Sequence, residues 1–260
     1  MYGIDAAVVA GALLVAMLLV IEGGYRFGRA NEREEPPMAK AHVNAIQASL
    51  LGILALLLGF TFSSALQRYD ARSQAVIDEA NAISTAWQRA DLLPDAHRAA
   101  ARAALRDYLD IRIVADGLTM DDYKGVTALR VDTTRAHAAL WDVARLAVLA
   151  DPDPVRTGLH AEAVNELIDA YVRRMAALDR RVPEVVLFLL MGTFLMAGVV
   201  VGFATGVAGH RPSLASHVMV ALIAVLVFII LDLDRPRRGL VQVDNRSLLE
   251  LRADVSRQSD

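Results

Sequence analysis

Four long apolar runs separated by polar segments dominate the hydropathy pattern of the chain. They cover residues 4–21, 43–65, 184–209 and 214–231. An apolar run of about 18 residues is long enough to cross the ~30 Å hydrocarbon core of a bilayer. Because lipid offers the backbone no hydrogen-bond partners, each run is predicted to form a transmembrane helix.

The four runs lie two and two around a polar stretch. We therefore expect an all-α integral membrane protein that begins with a transmembrane helix pair at 1–65 and continues into a helical cytosolic domain at 66–182. A second transmembrane pair is expected at 183–231, followed by a cytosolic tail at 232–260. No segment alternates in the manner of a half-buried strand.

Helical periodicity continues outside the apolar runs. A 3-4-3-4 spacing leads out of the second run through Leu66, Tyr69, Ser73, Val76, Ala80, Ile83 and Trp87. Residues 43–92 are thus predicted as one helix of ~75 Å. A second heptad seam leads toward the third run through Val164, Ile168, Tyr171, Met175, Leu178 and Val182.

Two further helices are predicted between these seams, at 95–115 and 121–150. Asp116 and Gly117 are expected to separate them. The sequence Asp-Pro-Asp-Pro at 151–154 predicts a turn that starts the last cytosolic helix.

Composition and charge narrow the function classes. Hydrophobic residues make up 55% of the chain, charged residues 22%, and the net charge is −3. No basic stripe indicates a nucleic-acid partner, and the absence of cysteine excludes disulfides and thiolate chemistry. The six histidines show no metal-ligand spacing, and we expect His160 on a solvated helix face. No phosphate-binding loop or nucleophile elbow occurs, so we expect no enzyme activity.

The basic residues predict the orientation of the chain. With two spans on each side of the polar stretch, both termini and that stretch share one side of the membrane. Nine basic residues lie near membrane ends on that side: Arg68, Arg72, Arg173, Arg174, Arg180, Arg181, Arg235, Arg237 and Arg238. The two short loops contain five: Arg26, Arg29, Arg33, Lys40 and Arg211. The positive-inside rule therefore places both termini in the cytoplasm.

The second span changes from apolar to polar without a helix breaker. Leu56, Phe60, Ser63 and Gln67 share one stripe of this helix by their 4-3-4 spacing. One interpretation is that the aromatic side chains pack against neighbouring spans. The other is a pore-lining helix with an apolar ring, because a narrow hydrophobic constriction can gate by dewetting.

Glycines recur at every fourth position of the third span, at Gly198, Gly202 and Gly206. This spacing forms a smooth groove in which another helix can approach closely. The interpretations are close packing within the protomer, an oligomer contact and a pore wall.

Two acids, Asp232 and Asp234, stand where the chain leaves the fourth span. Carboxylates two residues apart can contribute to a cation site, whereas a complete calcium site gathers about 6–8 oxygens. Arg235, Arg237 and Arg238 follow within a few residues, and their charge opposes a divalent ion. The alternative is that the aspartates pair with arginines at the membrane surface while Pro236 and Gly239 form a turn.

Two separated motifs carry a family resemblance. They are the Leu-Gly-Phe at 58–60 with Arg-Tyr-Asp-Ala-Arg at 68–72 and Glu-Ala-Asn-Ala-Ile at 79–83, and the Asp-Leu-Asp-Arg-Pro tail at 232–236 with Gly-Leu at 239–240. In these motifs the chain resembles the bestrophin-like family of bacterial membrane proteins. That family is similar in turn to the bestrophins, pentameric channels with two-plus-two spans that mostly conduct anions.

The resemblance implies site residues. It implies that Leu56 and Phe60 form a hydrophobic neck, and that Asp232 and Asp234 are the remnant of the acidic clasp that binds calcium in animal bestrophins. Thr61 stands where those channels have an arginine, and their aromatic pair after Tyr-Asp-Arg is absent. Two acids followed by a basic turn argue against calcium gating, and no other cofactor is expected.

The expected function is therefore an oligomeric ion channel in the bacterial inner membrane, pentameric and anion-conducting by resemblance. Its partners would be the lipid bilayer, further copies of the chain and inorganic ions. The alternative is a non-conducting membrane scaffold or signalling protein whose cytosolic helices form a docking surface. The two readings differ in whether the second spans of several protomers converge on an axis.

Overall fold

The computed structural model describes residues 5–30, 37–117, 123–235 and 239–258, and within these ranges it is helical with no β-strand. The predicted all-α class is thereby confirmed. The eight α-helices of the described residues are α1 Ala6–Ala30, α2 Pro37–Arg89, α3 Asp95–Gly117, α4 Tyr123–Ala150, α5 Leu159–Asp179, α6 Glu184–Val207, α7 Leu214–Leu233 and α8 Arg246–Arg257.

Four helical stretches, which include α1, α2, α6 and α7, are long and apolar enough to cross a membrane. The prediction of one long helix leading out of the second span is also confirmed. Helix α2 runs without interruption for 53 residues and is followed by a single 3-10 turn at Ala90–Leu92. Its length is therefore ~80 Å at 1.5 Å per residue.

Three local expectations need correction. Asp116 and Gly117 do not separate helices, because α3 continues through Gly117; part of the predicted start of α4, residues 121–122, lies outside the described residues. In α5 the fully buried stripe coincides with the predicted seam only at Val164, whereas Ile168, Tyr171, Met175 and Leu178 of that seam are half-buried. The fully buried stripe contains His160, Ala163, Val164, Leu167, Ala170 and Arg174. His160 is thus buried, because α5 turns this face toward the other helices of its unit.

The chain divides into two compact units. The first combines Met1–Gln67 with Arg181–Arg235, and the second combines Arg68–Arg180 with Pro236–Asp260. In the first unit, α1 packs along α6 and α7. Leu13, Met17 and Ile21 of α1 are buried one helical turn apart, which is the i, i+4 spacing of a packing face.

The second unit is built around its own apolar core. Ile83 of α2, Leu105 of α3, Leu140 of α4, Leu167 of α5 and Leu248 of α8 all belong to one buried cluster. At the C-terminal end of α8, Gln258 Oε1 accepts a 2.7 Å hydrogen bond from the Trp87 Nε1–H. The C-terminal helix is therefore part of this core.

The predicted turn at 151–154 does start a helix. Asp153 caps a π-type turn, Pro154–Gly158, which leads into α5. Its Oδ1 accepts hydrogen bonds from the backbone N–H groups of Val155 and Arg156 at 2.8 and 3.0 Å. These two bonds lower the pKa of the Asp153 carboxyl because they stabilise its charged form.

Candidate functional site

The stripe identified in the second span is open to the surroundings of a single chain. Leu56 is 59% exposed and Phe60 is 65% exposed, so neither side chain is core of the protomer. Ser63 and Gln67 are exposed as well, and the Gln67 amide donates to Ser63 Oγ at 3.2 Å. The interpretation that Phe60 packs against neighbouring spans is therefore wrong within one chain.

Another face of the same helix is buried. Leu54, Leu58, Thr61 and Ala65 are buried at the 4-3-4 spacing of a helical packing face. The Thr61 hydroxyl donates to the Leu57 carbonyl oxygen at 2.7 Å, so it is satisfied inside the helix. Leu56, Phe60, Ser63 and Gln67 lie on a different face of the helix, which is exposed in the single chain.

The glycines of α6 lie against α1. A Cβ atom at Gly202 would overlap the Ile21 carbonyl oxygen and lie 2.9 Å from Tyr25 N, and one at Gly206 would overlap the Tyr25 carbonyl oxygen. A Cβ atom at Gly198 would lie 2.9 Å from Cγ2 of the Val20 side chain. Such close approach requires residues without side chains.

Helix α1 contributes two glycines of its own to this contact, which sequence reasoning did not single out. A Cβ at Gly24 would lie 2.5 Å from the Val199 carbonyl oxygen, and one at Gly28 would lie 2.5 Å from the Phe203 carbonyl oxygen. The signal was present, since Gly24 and Gly28 are also four residues apart. Phe27 and Phe203 stack beside them with ring centroids 6.0 Å apart.

The two acids after the fourth span are buried. Asp232 is the penultimate residue of α7 and Asp234 follows its end. Asp234 Oδ2 accepts a 2.8 Å hydrogen bond from the backbone N–H of Val182, just before α6. Asp234 therefore links the segment before the N-terminus of α6 to the C-terminus of α7.

The surroundings of this turn are described in part. Gly239 has a φ of 114°, a conformation that favours glycine, whereas Pro236, Arg237 and Arg238 lie outside the described residues. Among the residues that the structure describes, no group of three or more His, Cys, Asp or Glu could hold a metal ion. The observed hydrogen bond gives Asp234 a structural role that needs no ion.

Replacing Asp232 and Asp234 together with alanine is expected to lower the melting temperature of the purified protein, with or without calcium. The Val182 N–H would lose its acceptor, and a buried unsatisfied donor costs ~1–3 kcal/mol. Thermal unfolding in detergent, with calcium or with chelator, measures this. A calcium-dependent rise in the melting temperature of the native protein, absent from the double variant, would contradict the structural role and favour a metal site.

A buried ion cluster lies at the centre of the second unit. Glu79 Oε1 accepts hydrogen bonds from the Tyr108 hydroxyl at 2.7 Å and from Arg112 Nε at 2.6 Å. Glu79 Oε2 accepts from Arg174 Nη1 at 2.6 Å and from Arg112 Nη2 at 3.3 Å. Because all four side chains are buried, the three charged groups are held together in low dielectric.

The cluster continues into aromatic side chains. The Arg112 guanidinium lies 4.9 Å from the Tyr171 ring centroid, and the His137 ring lies between Tyr108 and Tyr171 at centroid distances of 5.3 and 4.9 Å. Burial, then the negative charge of Glu79, raises the pKa of Tyr108 well above its usual range. Burial, then the positive charge of Arg112, lowers the pKa of His137. Both side chains thus stay neutral at physiological pH.

Sequence reasoning noted Glu79 as part of a motif but missed its partners. The pattern of basic residues predicts Arg174 near the membrane surface, whereas its side chain is 3% exposed and bonded to Glu79. Its partner lies 95 residues away in the chain. The one available signal was position, since Arg174 falls four residues after Ala170 on the face of α5 that also buries Leu167 and Ala170.

Comparison with known proteins identifies the family. A family model described as the Bestrophin-like domain matches residues 10–248. No curated protein and no solved structure matches the chain. Both motifs that carry the resemblance, in α2 and after α7, lie inside the matched segment, and the match covers most of the chain. The chain therefore belongs to the bestrophin-like family.

Proposed function

We propose that the chain assembles into a homo-oligomer, pentameric as in the bestrophins, and conducts anions through an axial pore lined by α2. The narrowest part of this pore is the ring of Leu56 and Phe60, followed by Ser63 and Gln67. The assembly lies in a bacterial inner membrane, with both termini and the second unit in the cytoplasm. This orientation follows from the distribution of basic residues.

The exposed stripe of α2 carries the proposal. A helix face that touches only lipid is expected to be apolar along its whole membrane length, because polar side chains are costly in hydrocarbon. The stripe instead passes from Leu56 and Phe60 to Ser63, which is still inside the apolar run, and to Gln67 two residues beyond it, all of them exposed in the single chain. A water-filled axis shared by several copies would accommodate both its apolar and its polar part.

Several copies of the chain around an axis would turn this stripe into a layered pore. The leucine and phenylalanine side chains would form an apolar constriction whose dehydration barrier depends on the ring radius. The hydroxyl and amide groups of Ser63 and Gln67 would line the wider, hydrated part. The preference for anions rests on the family alone.

We expect the purified protein to be an oligomer in detergent. The exposed large hydrophobic residues of α2 include Leu66, just beyond the apolar run, and Ile77, which belongs to the second unit. An apolar stripe of this kind calls for a partner. Native mass measurement of the detergent-solubilised chain should return a multiple of the 28.2 kDa protomer, and five copies by family analogy. A protein that remains monomeric over a wide concentration range would contradict the proposal.

Replacing Phe60 with alanine is expected to raise ion flux through reconstituted vesicles. The smaller side chain widens the constriction and lowers its dehydration barrier. Because Phe60 is 65% exposed in the protomer, the variant does not incur the ~3–5 kcal/mol loss of a buried phenylalanine. Chloride efflux from vesicles, compared with gluconate and potassium, measures both the leak and its selectivity.

Phe188 offers a matched control for this experiment. It lies on α6 and is 60% exposed, so its replacement removes the same side chain from a surface that we do not place at the pore. Phe188→Ala should leave the flux unchanged. A folded, oligomeric Phe60→Ala protein without flux, alongside a native protein without flux, would instead support the non-conducting scaffold.

A further inference from the structure

A cavity of about 380 Å³ lies inside the second unit, between α3, α4 and α5. Its volume falls within the range of pockets that bind small molecules, ~300–1,000 Å³. Arg112 of α3, Arg130 of α4 and Tyr171 of α5 line it. The stripe of α2 assigned to the pore does not contribute to this cavity, so the pore proposal does not account for it.

Arg112 gives the cavity a buried cationic group. The side chain is 1% exposed, and its hydrogen bonds to Glu79 use Nε and Nη2. A guanidinium carries five N–H donors, two of them on Nη1. The bonds to Glu79 therefore use two of these five donors. The cavity therefore contacts a buried arginine whose hydrogen-bonding capacity is only partly used.

Arg130 adds a second cation at the rim. It is exposed, and its guanidinium forms no ion pair within the described part of the chain. Asp179 is the acidic residue of the rim. Three arginines (Arg112, Arg130 and Arg174) against two carboxylates (Glu79 and Asp179) leave one net positive charge at and behind the cavity wall, which favours a ligand with a single negative charge.

The remaining walls are largely apolar. Val126 and Leu129 of α4 and Met175 and Leu178 of α5 line the cavity. The Thr133 hydroxyl donates to the Leu129 carbonyl oxygen at 2.8 Å and is thereby engaged within its own helix. A small hydrated inorganic ion would leave these apolar walls without a partner, whereas a short hydrocarbon body would cover them.

We propose that this cavity binds a small organic monocarboxylate, with its carboxylate between Arg112 and Arg130 and its apolar body against Val126, Leu129, Met175 and Leu178. Arginine suits this role because its planar fork matches the geometry of a carboxylate. The ligand would join α3, α4 and α5, so its binding should stabilise the second unit.

The test uses the full chain in detergent, with benzoate and hexanoate as probes at constant ionic strength. Both should raise the melting temperature in a saturable manner, and calorimetric titration should show one site per chain. The neutral analogue benzamide should produce no shift. Arg130→Gln is expected to weaken carboxylate binding at least tenfold, whereas Arg135→Gln, on the same helix but outside the cavity, should bind as the native chain does.

A cavity-filling variant, Leu178→Trp, provides a second line of evidence and should abolish binding while the protein remains folded. The proposal is overturned if neither carboxylate shifts the melting temperature. It is also overturned if benzamide or chloride gives the same shift, or if Arg130→Gln and Leu178→Trp bind undiminished. The assay measures binding and not conduction, so its outcome is independent of the pore proposal.

Discussion

A Glu79→Gln protein is expected to be ~3–5 kcal/mol less stable than the native protein, which is the cost of removing one partner from a buried ion pair. Glu79 is fully buried, and each of its carboxylate oxygens accepts hydrogen bonds. The neutral amide would leave the buried charges of Arg112 and Arg174 without the carboxylate that both contact. One amide oxygen cannot replace two charged acceptors.

Melting in detergent, or unfolding by denaturant, measures this loss. Asp78 provides the control, because it is the neighbouring acid on the same helix and is exposed to solvent. Its Oδ1 accepts a 2.9 Å bond from the Gln74 amide, which an asparagine can also accept. Asp78→Asn should therefore change the stability by no more than ~0.5 kcal/mol.

A double-mutant cycle separates the ion pair from general packing. Arg112→Gln should cost less in the Glu79→Gln background than in the native chain, because the charge that it removes has already lost its partner. The cluster is not held together by this charge pairing if Glu79→Gln melts at the same temperature as the native protein. The same conclusion follows if the stability losses of the two substitutions are additive.

Hydropathy and periodicity were sufficient to predict the all-α class and the long α2 helix. Both depend on local patterns, since an apolar run or a 3-4 spacing is visible within one segment. The buried face of α5 was not predictable in the same way. Its stripe includes His160 and Arg174, which are polar and therefore do not contribute to an apolar spacing. Their burial is explained only by their partners on other helices.

The ion cluster shows why the rest of the site was missed. Arg112 and Arg174 lie 33 and 95 residues from Glu79 in sequence and meet only after α2, α3 and α5 have packed. An arginine that will pair with a buried carboxylate has the same local sequence signature as one at a membrane surface. The exposed stripe of α2 is the opposite case, because helical spacing groups Leu56 and Phe60 before any tertiary contact is known.

The glycines of α6 could be predicted from the sequence only in part. The spacing of Gly198, Gly202 and Gly206 indicated a groove for some helix, but the identity of the partner depended on the fold. The structure places α1 there, with Gly24 and Gly28 facing the backbone of α6. Four-residue spacing on both helices lets two backbones approach over several turns, so the contact depends on every one of these positions.

Replacing Gly202 with alanine is therefore expected to destabilise the protein by several kcal/mol. The added Cβ would overlap the Ile21 carbonyl oxygen and crowd Tyr25 N, and neither backbone atom can rotate away as a flexible side chain could. Relief requires that α1 move away from α6, which would also separate the contacts at Gly24, Gly28 and Gly206. The cost should thus reach or exceed the ~1–3 kcal/mol typical of overpacking.

Gly192 provides the control for this prediction, because it lies on the same helix and a Cβ atom there would meet no atom within 4 Å. Alanine has a higher helix propensity than glycine by ~1 kcal/mol, so Gly192→Ala should leave the melting temperature unchanged or raise it. Gly202→Ala is thus expected to lower the melting temperature, whereas Gly192→Ala on the same helix is not. Equal melting temperatures for the two variants in detergent would show that α1 and α6 are not in close backbone contact.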